Sequence, residues 1–499
     1  MPVKRVLIAN RGEIALRIIR ACHEEGLEAV AVYSEADRAS PYVRAADLAI
    51  AIGPSPASES YLRMDRLIEA ALASGAQAIH PGYGFLAERS QFAELVTSAG
   101  LVFVGPPASA IRAMGDKTEA RRRMLAAGVP VVPGGSEPLT ETGAARALAE
   151  AIGYPVLVKA TAGGGGRGMR VVRTPEDLEP ALVSAASEAL KAFGDASVYL
   201  EKYIVRPRHV EIQVLADHLR TVHLGERECS IQRRHQKLVE ESPSVAVTPA
   251  LRERMGQAAV AAARAVEYRG AGTCEFLLAA DGSFYFLEMN TRIQVEHPVT
   301  ELVYGVDLVR EQLRIARGLP MTVAAGPLAP RGWAIECRIT SEDPRNGFLP
   351  STGRITYLHA PAGPGVRWDS GFETGDEVTL FYDSMIAKLI VAAPDRATAI
   401  ERMQRALREL VVVGVATNQG FHARLLADPS FRAGDVDIQF LERRPDLSAP
   451  EPEPSRDLPL VIAAALMEDE RRHGLRPTVA PHDDAGGAWR RAARRDALK

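Results

Sequence analysis

The chain has 499 residues, 46% hydrophobic and 25% charged, with a formal net charge of −3 at pH 7. That length suggests two to four domains that each bury a core, and so small a net charge gives no electrostatic reason to expect nucleic acid as a partner. The apolar run in M-P-V-K-R-V-L-I-A-N-R is too short for a signal peptide, no segment is long enough to cross a bilayer, and Cys22, Cys229, Cys274 and Cys337 lack C-x-x-C or Cys/His pairing. A cytoplasmic protein without disulfide framework, structural zinc or membrane contact is expected.

Residues 5–34 read as strand, helix, glycine stop and strand, a βαβ unit. Strand-like runs at Gln77–His80 and Leu101–Val104 extend the pattern to about residue 114, so a doubly wound α/β domain opens the chain. Its first turn holds only Gly12 where a dinucleotide site needs G-x-G-x-x-G, which disfavours an NAD-binding oxidoreductase.

Residues 131–203 read as a separate small unit, with a helix from Glu141 to Ile152, strands around Pro155–Ala160 and Met169–Val172, and a helix to about Phe193. Between its strands, V-L-V-K-A-T-A-G-G-G-G-R-G-M-R-V-V places Lys159 before five glycines. Glycines let successive backbone N–H groups approach an anion, and Lys159 can neutralise phosphate charge. The order strand-loop-strand is that of a flap able to close over a nucleotide, not of a P-loop; a plain hairpin loop is the competing reading. Glu201-Lys202-Tyr203-Ile204 follows the next strand, where a backbone could meet a purine edge, although a plain strand end is the reading the residues alone favour.

The run G-T-C-E-F-L-L-A-A-D-G-S-F-Y-F-L-E-M-N carries Asp281-Gly282 between β-rich segments, which predicts a hairpin with a two-residue turn. That register sets Glu275 opposite Glu288 on one face. Opposed carboxylates about 5 Å apart repel, so a cation between them is expected. With Asn290 one pleat on, an all-oxygen ligand set suits Mg²⁺ or Mn²⁺ bridging nucleotide phosphates. The polar alternation continues through Arg292, Gln294 and Glu296. If it is all one strand ended by His297-Pro298, Glu288 and Glu296 stand about 26 Å apart, as separate stations for metal and for a small oxyanion beside a carboxylate base. A solvent-facing polar edge is the bland alternative.

Residues 204–443 form a larger mixed region. P-D-L-S-A-P-E-P-E-P-S then reads as an extended linker before a helix candidate, L-P-L-V-I-A-A-A-L-M-E-D-E-R-R-H-G, and a basic end.

The motifs I-A-N-R-G-E-I-A-L-R, A-I-H-P-G-Y-G-F-L-A-E, M-G-D-K, V-K-A-T-A-G-G-G-G-R-G-M-R, R-H-V-E-I-Q-V, Q-R-R-H-Q-K, E-M-N-T-R-I-Q-V-E-H-P-V-T-E and Y-D-S-M-I-A-K-L together resemble biotin carboxylase, an ATP-grasp enzyme, over about residues 3–443. The resemblance implies an α/β and α+β multidomain fold: a doubly wound domain over 1–114, a linker helix and lid over 115–203, a catalytic core over 204–330, a C-terminal mixed domain over 331–446 and a linker with tail over 447–499. It implies ATP with Mg²⁺ or Mn²⁺, bicarbonate and carrier-bound biotin as ligands. Lys117, Lys159, Gly164, Gly165, Gly166, Glu201, Lys202, Tyr203, Ile204, His209, Gln232 and His235 match nucleotide-binding positions. Glu275, Glu288 and Asn290 match metal positions, the first two also contacting nucleotide. Lys237, Arg292, Gln294, the backbone of Val295, and Glu296 match the bicarbonate site, with Glu296 as base, and Tyr83 and Arg338 match biotin contacts.

The implied reaction makes carboxyphosphate from ATP and bicarbonate and carboxylates biotin, the first half-reaction of acetyl-CoA or another acyl-CoA carboxylase in fatty acid biosynthesis or a related route. No A-M-K-M biotinylation motif is present, which implies that a biotin carboxyl carrier protein and carboxyltransferase subunits are other chains. The family implies a homodimer, and the tail helix with Leu460, Ile462, Ala463 and Leu466 is expected to dock a partner protein of the complex, a loosely ordered solvated tail being the competing reading. Two other functions remain open from sequence: another ATP-grasp carboxylate-amine ligase, which needs neither Arg338 nor R-I-Q-V-E-H, and an inactive nucleotide-binding scaffold.

Overall fold

R-V-L-I, whose three apolar side chains are buried, forms strand β1 (Arg5–Ile8). The computed structural model describes residues 3–135, 139, 142–160, 169–193, 197–324, 326, 328–448 and 454–473. After β1 comes helix α1 (Gly12–Glu24), whose Ile14, Ala15, Ile18, Ile19 and Cys22 recur at helical spacing and are buried. Gly26, at φ +67°, lets the chain leave the helix into β2 (Glu28–Ser34). With β3 (Leu48–Gly53), β4 (Ala78–His80) and β5 (Val102–Phe103), these form a parallel sheet in the order β3-β2-β1-β4-β5. The order reverses direction between β1 and β4, where ligand crevices open in such sheets. Asn10, just past β1, ties the two loops there by donating to the carbonyls of Pro81 at 2.8 Å and Tyr83 at 2.7 Å.

The small unit expected over 131–203 is an antiparallel sheet of β6 (Val156–Ala160), β7 (Met169–Val172) and β8 (Val198–Lys202) in the order β7-β6-β8, beneath helices Thr142–Ile152 and Leu178–Phe193. The glycine-rich stretch with Gly164, Gly165 and Gly166 lies outside the described residues.

One eight-stranded sheet positions the rest. Its order is β13-β12-β9-β10-β11-β14 and then strands Met385–Ala393 and Val366–Ser370, where β9 is Arg208–Ala216, β10 Thr221–Arg233, β11 Gln236–Ser242, β12 Gly270–Leu278, β13 Phe284–Asn290 and β14 Trp333–Thr340. On β9 and β12 the alternation is functional. Val210, Ile212, Val214, Cys274 and Phe276 pack with Met255, Ala259 and Ala262 of helix Pro249–Arg264. The intervening His209, Glu211, Gln213, Thr273 and Glu275 therefore share the opposite face.

Two local expectations are corrected. The hairpin at Asp281-Gly282 has a three-residue loop: Ala279 pairs with Ser283, its N–H donating at 2.8 Å, and Gly282 takes φ +80°. A bulge at Leu287 then compensates, because Phe276 faces Phe286 while Glu275 faces Glu288. The Glu275–Glu288 pairing holds although its turn does not.

Nor does β13 run on to residue 296. It stops at Asn290, the chain coils, and His297-Pro298 begins helix His297–Tyr304 instead of merely ending a strand. Proline in the first helical turn needs no N–H partner. Glu88 accepts from the Thr291 N–H at 3.1 Å and from Arg292 Nε at 2.8 Å, and so holds the chain as it leaves the sheet. The 26 Å track is absent.

Residues 450–499 form a second unit. Its helix spans Pro454–His473, and Val461, Ile462, Leu466 and Met467 on it are exposed. No helix among the described residues is long and apolar enough to cross a membrane.

Candidate active site

A cleft of about 1670 Å³ receives residues from the parallel sheet, the small sheet and the large sheet. All the site residues expected from sequence line it, apart from the glycines that lie outside the described residues.

At its floor Lys237 Nζ donates to three carboxylates: Glu211 at 2.6 Å, Glu275 at 3.0 Å and Glu296 at 2.6 Å. The coil after Asn290 makes this possible by folding Glu296 back over the strand that it was expected to extend. Arg338 takes the other oxygen of Glu296, its Nη2 donating at 2.8 Å, while its Nε donates to Glu240 at 2.7 Å. Burial alone would raise the Glu296 carboxyl; the charges of Lys237, Arg338 and Arg227 hold it well below the usual carboxylate range. The same partners raise the Lys237 ammonium against its own burial. Both groups stay charged at any working pH.

Arg227 is a central residue that sequence reasoning missed. It is fully buried, and each of its five N–H groups has a partner: Glu211 at 2.6 Å, Gln213 at 2.7 Å, Thr300 at 3.0 Å, Thr273 at 3.0 Å and Gln294 at 2.7 Å. Gln294, so fixed, donates through Nε2 to Glu275 at 2.9 Å. Glu211 and Glu88 were also missed as site residues, although each stands in a motif that carried the resemblance. The alternation H-V-E-I-Q-V was the available signal for Glu211.

Arg292 lies along the rim, with Nη2 donating to Asn290 Oδ1 at 3.0 Å and Nε to Glu88. Tyr83 donates its hydroxyl to Glu13, and Lys388 reaches Glu13 at 3.1 Å and the Val295 carbonyl at 3.0 Å. On the small sheet Lys159 pairs with Glu201. Lys202 turns its ammonium to the carbonyls of Gly153 and Tyr154. Gln232 precedes a two-residue turn in which Arg234 and His235 have φ of +49° and +65°, a costly geometry for side-chain-bearing residues that points His235 into the cleft lining.

Glu275 and Glu288 form the acidic pair. Burial and the charge of Glu275 raise the Glu288 carboxyl, and Lys117 opposes them. His209 Nε2 lies 3.0 Å from Glu275, and Asn290 Nδ2 donates to the same residue at 2.9 Å. A carboxylate pushed up by a like charge is what a divalent cation would relieve, so the donor set fits Mg²⁺ or Mn²⁺.

Residues 2–111 match the family of biotin carboxylase N-terminal domains, residues 116–324 the ATP-binding domain of the carbamoyl-phosphate synthase L chain, and residues 336–443 the biotin carboxylase C-terminal domain. The biotin carboxylase of Nostoc sp. is 55% identical over 444 residues, 89% of this chain and 99% of that protein. Among solved structures, the biotin carboxylase domain dimer of Hydrogenobacter thermophilus 2-oxoglutarate carboxylase, with MgADP and bicarbonate, superposes with a TM-score of 0.81 at 47% identity, covering 90% of this chain and 99% of that one. The Campylobacter jejuni biotin carboxylase gives 0.82 at 48% identity, covering 89% and 99%.

Proposed function

The chain belongs to the biotin carboxylase family, and from that premise we propose how its own residues carry out the ATP-dependent carboxylation of biotin with bicarbonate. The observation that carries the reading is Glu296, an ionised carboxylate gripped by Lys237 on one oxygen and Arg338 on the other.

ATP lies across the cleft with its phosphates toward Lys117, Lys159, His209 and the acidic pair, and its purine toward Glu201–Ile204. Glu275, Glu288 and Asn290 would hold the divalent ion, which would supply charge neutralisation to the phosphates. Bicarbonate enters between Lys237, Arg292, Gln294 and the Val295 backbone. By drawing Lys237 and Arg338 toward its own oxygens it loosens their hold on Glu296, whose basicity rises as they leave. Glu296 takes the bicarbonate proton while the bicarbonate oxygen attacks the γ-phosphorus and ADP departs, giving carboxyphosphate. That species then breaks at its C–O bond. Phosphate takes the N1′ proton of biotin, and N1′ attacks the freed carbon dioxide. Arg338, charged at any working pH, faces the oxyanion that biotin becomes on losing its proton, and Tyr83 stands beside the ring.

Biotin arrives on a biotin carboxyl carrier protein, and carboxyltransferase subunits choose the final acyl acceptor, acetyl-CoA among the candidates. The helix Pro454–His473, apolar and exposed at Val461, Ile462 and Leu466, serves such a partner. The chain works as a homodimer in the cytoplasm, a compartment that suits its four free, buried cysteines.

The test is phosphate release from MgATP with and without bicarbonate and free biotin. Bicarbonate dependence and biotin stimulation, both lost in Glu296→Ala and Arg338→Ala, are expected; bicarbonate-independent hydrolysis would favour a different ATP-grasp ligase.

A further inference from the structure

Behind Arg338 the sheet carries two more carboxyl groups that the mechanism does not use. Glu240 on β11 and Glu336 on β14 are direct cross-strand partners, and Arg338, two residues after Glu336, shares their face, opposite Lys388 on the next strand. Glu240, Glu336 and Lys388 are fully buried. Arg338 satisfies one oxygen of Glu240. The other oxygen of Glu240 and both oxygens of Glu336 have no hydrogen-bond donor. Lys388 makes no hydrogen bond to either of them: its ammonium donates to the Val295 carbonyl and lies 3.1 Å from Glu13 Oε2.

Two ionised carboxylates cannot stand side by side in such a place. Like charges directly opposite in an antiparallel pair repel, and a buried carboxylate without a partner is among the costliest groups that a fold can hold. One proton between them removes both faults, since the Glu336 hydroxyl can donate to the free oxygen of Glu240. We propose that Glu336 is carried protonated, so that the Glu240–Glu336 pair bears a single negative charge, and that Glu240 is the positioning residue that aims Arg338 at Glu296 and at the substrate beyond.

The charged and titratable groups facing Glu336 agree with this assignment. Glu240 and Glu296 are acidic and oppose its ionisation, Tyr83 stands near, and the cations Lys388 and Arg338 favour it, Arg338 being shared with Glu240 and Glu296. Burial, with the charges of Glu240 and Glu296, raises the Glu336 carboxyl well above the usual range against the opposing charges of Lys388 and Arg338. Were both ionised, Arg338 would face three carboxylates and offer little net positive field to a developing oxyanion. The proton thus preserves the charge of the arginine for its substrate. The inference rests on the role given to Arg338 above.

Infrared difference spectroscopy of the wild-type protein against Glu336→Gln at pH 7 tests the proton directly. A protonated-carboxyl stretching band present in the wild type and lost in the variant is expected; its absence overturns the proposal. So does a Glu336→Gln protein that fails to fold, because the amide is the neutral isostere of the state proposed. Kinetics test the positioning role. Glu240→Gln should lower the biotin-stimulated kcat about tenfold or more, leave the KM for MgATP within about twofold, and be partly rescued by Glu240→Asp, whereas Glu336→Gln should cost no more than about threefold. A wild-type kcat in Glu240→Gln overturns that role. An Arg338→Ala control separates the two readings: if it leaves biotin stimulation intact, the assignment of Arg338 fails, whereas the infrared result stands by itself.

Discussion

Lys237 Nζ donates to Glu296 Oε1 at 2.6 Å, on the opposite edge of the carboxylate from Arg338. Because the same ammonium also serves Glu211 and Glu275, its removal leaves three buried acids without their common cation. Lys237→Met should destabilise the fold by about 3–5 kcal/mol near neutral pH. The deficit should shrink as pH falls, because Glu275 and Glu296, once freed, take up protons that they refuse in the wild type, where they are held low. Urea midpoints at pH 5.5 and 7.5 check this; an equal deficit at both would contradict it.

Glu88 organises Arg292 without belonging to the acidic pair. Its carboxylate accepts from both the Thr291 N–H and Arg292 Nε. Glu88→Gln removes a charge-assisted bond of about 1.5–3 kcal/mol, so the KM for bicarbonate should rise about tenfold or more while that for MgATP stays put. Equal increases in both constants would show that Glu88 holds the whole cleft, not the arginine.

Where the sequence was legible and where it was not follows from what kind of order each feature expresses. The opening βαβ unit and the small sheet rest on local periodicity, and local periodicity is visible in a string; the Glu275–Glu288 pairing came out as expected only because the bulge at Leu287 offsets the longer turn. Alternation after Asn290 misled, because a polar residue at every second place specifies a strand only where a neighbouring strand receives it; here Glu88, some two hundred residues away, takes the Thr291 N–H instead. The same contact turns the expected row of stations into a cluster. Arg227 had no signal of its own, since its five partners come from four separate stretches that only the folded sheet and the following helix bring together.

His422 gives the fold a measurable acid sensitivity. Its Nε2 donates to the Arg338 carbonyl at 2.8 Å, its Nδ1 has no partner, and burial lowers it from 6.5 to about 4. Between those values the unfolded chain binds a proton that the folded one does not, so stability falls as pH falls from about 6.5 to about 4, by about 3 kcal/mol over the window. His422→Gln should flatten that slope. Denaturant midpoints measured across the window for both proteins decide it, and parallel slopes would refute the assignment.

Residues 450–499 constitute their own unit, and the helix Pro454–His473 presents apolar side chains to solvent at Val461, Ile462, Leu466 and Met467. Deleting residues 450–499 should leave bicarbonate-dependent ATP hydrolysis within about twofold of the full chain, as the site lies wholly in the other unit, yet weaken co-purification with the carboxyltransferase subunits. Undiminished assembly would remove the tail from the account.

The most direct test of the central claim follows carbon from isotopically labelled bicarbonate into biotin, with MgATP as the only energy source. Acid-labile label on free biotin, formed by the wild-type protein and reduced at least a hundredfold in Glu296→Ala and Arg338→Ala, a loss of about 2.7 kcal/mol or more in transition-state stabilisation, is the predicted result. Hydrolysis of ATP with no label on biotin, or label transfer undiminished in both variants, would contradict it.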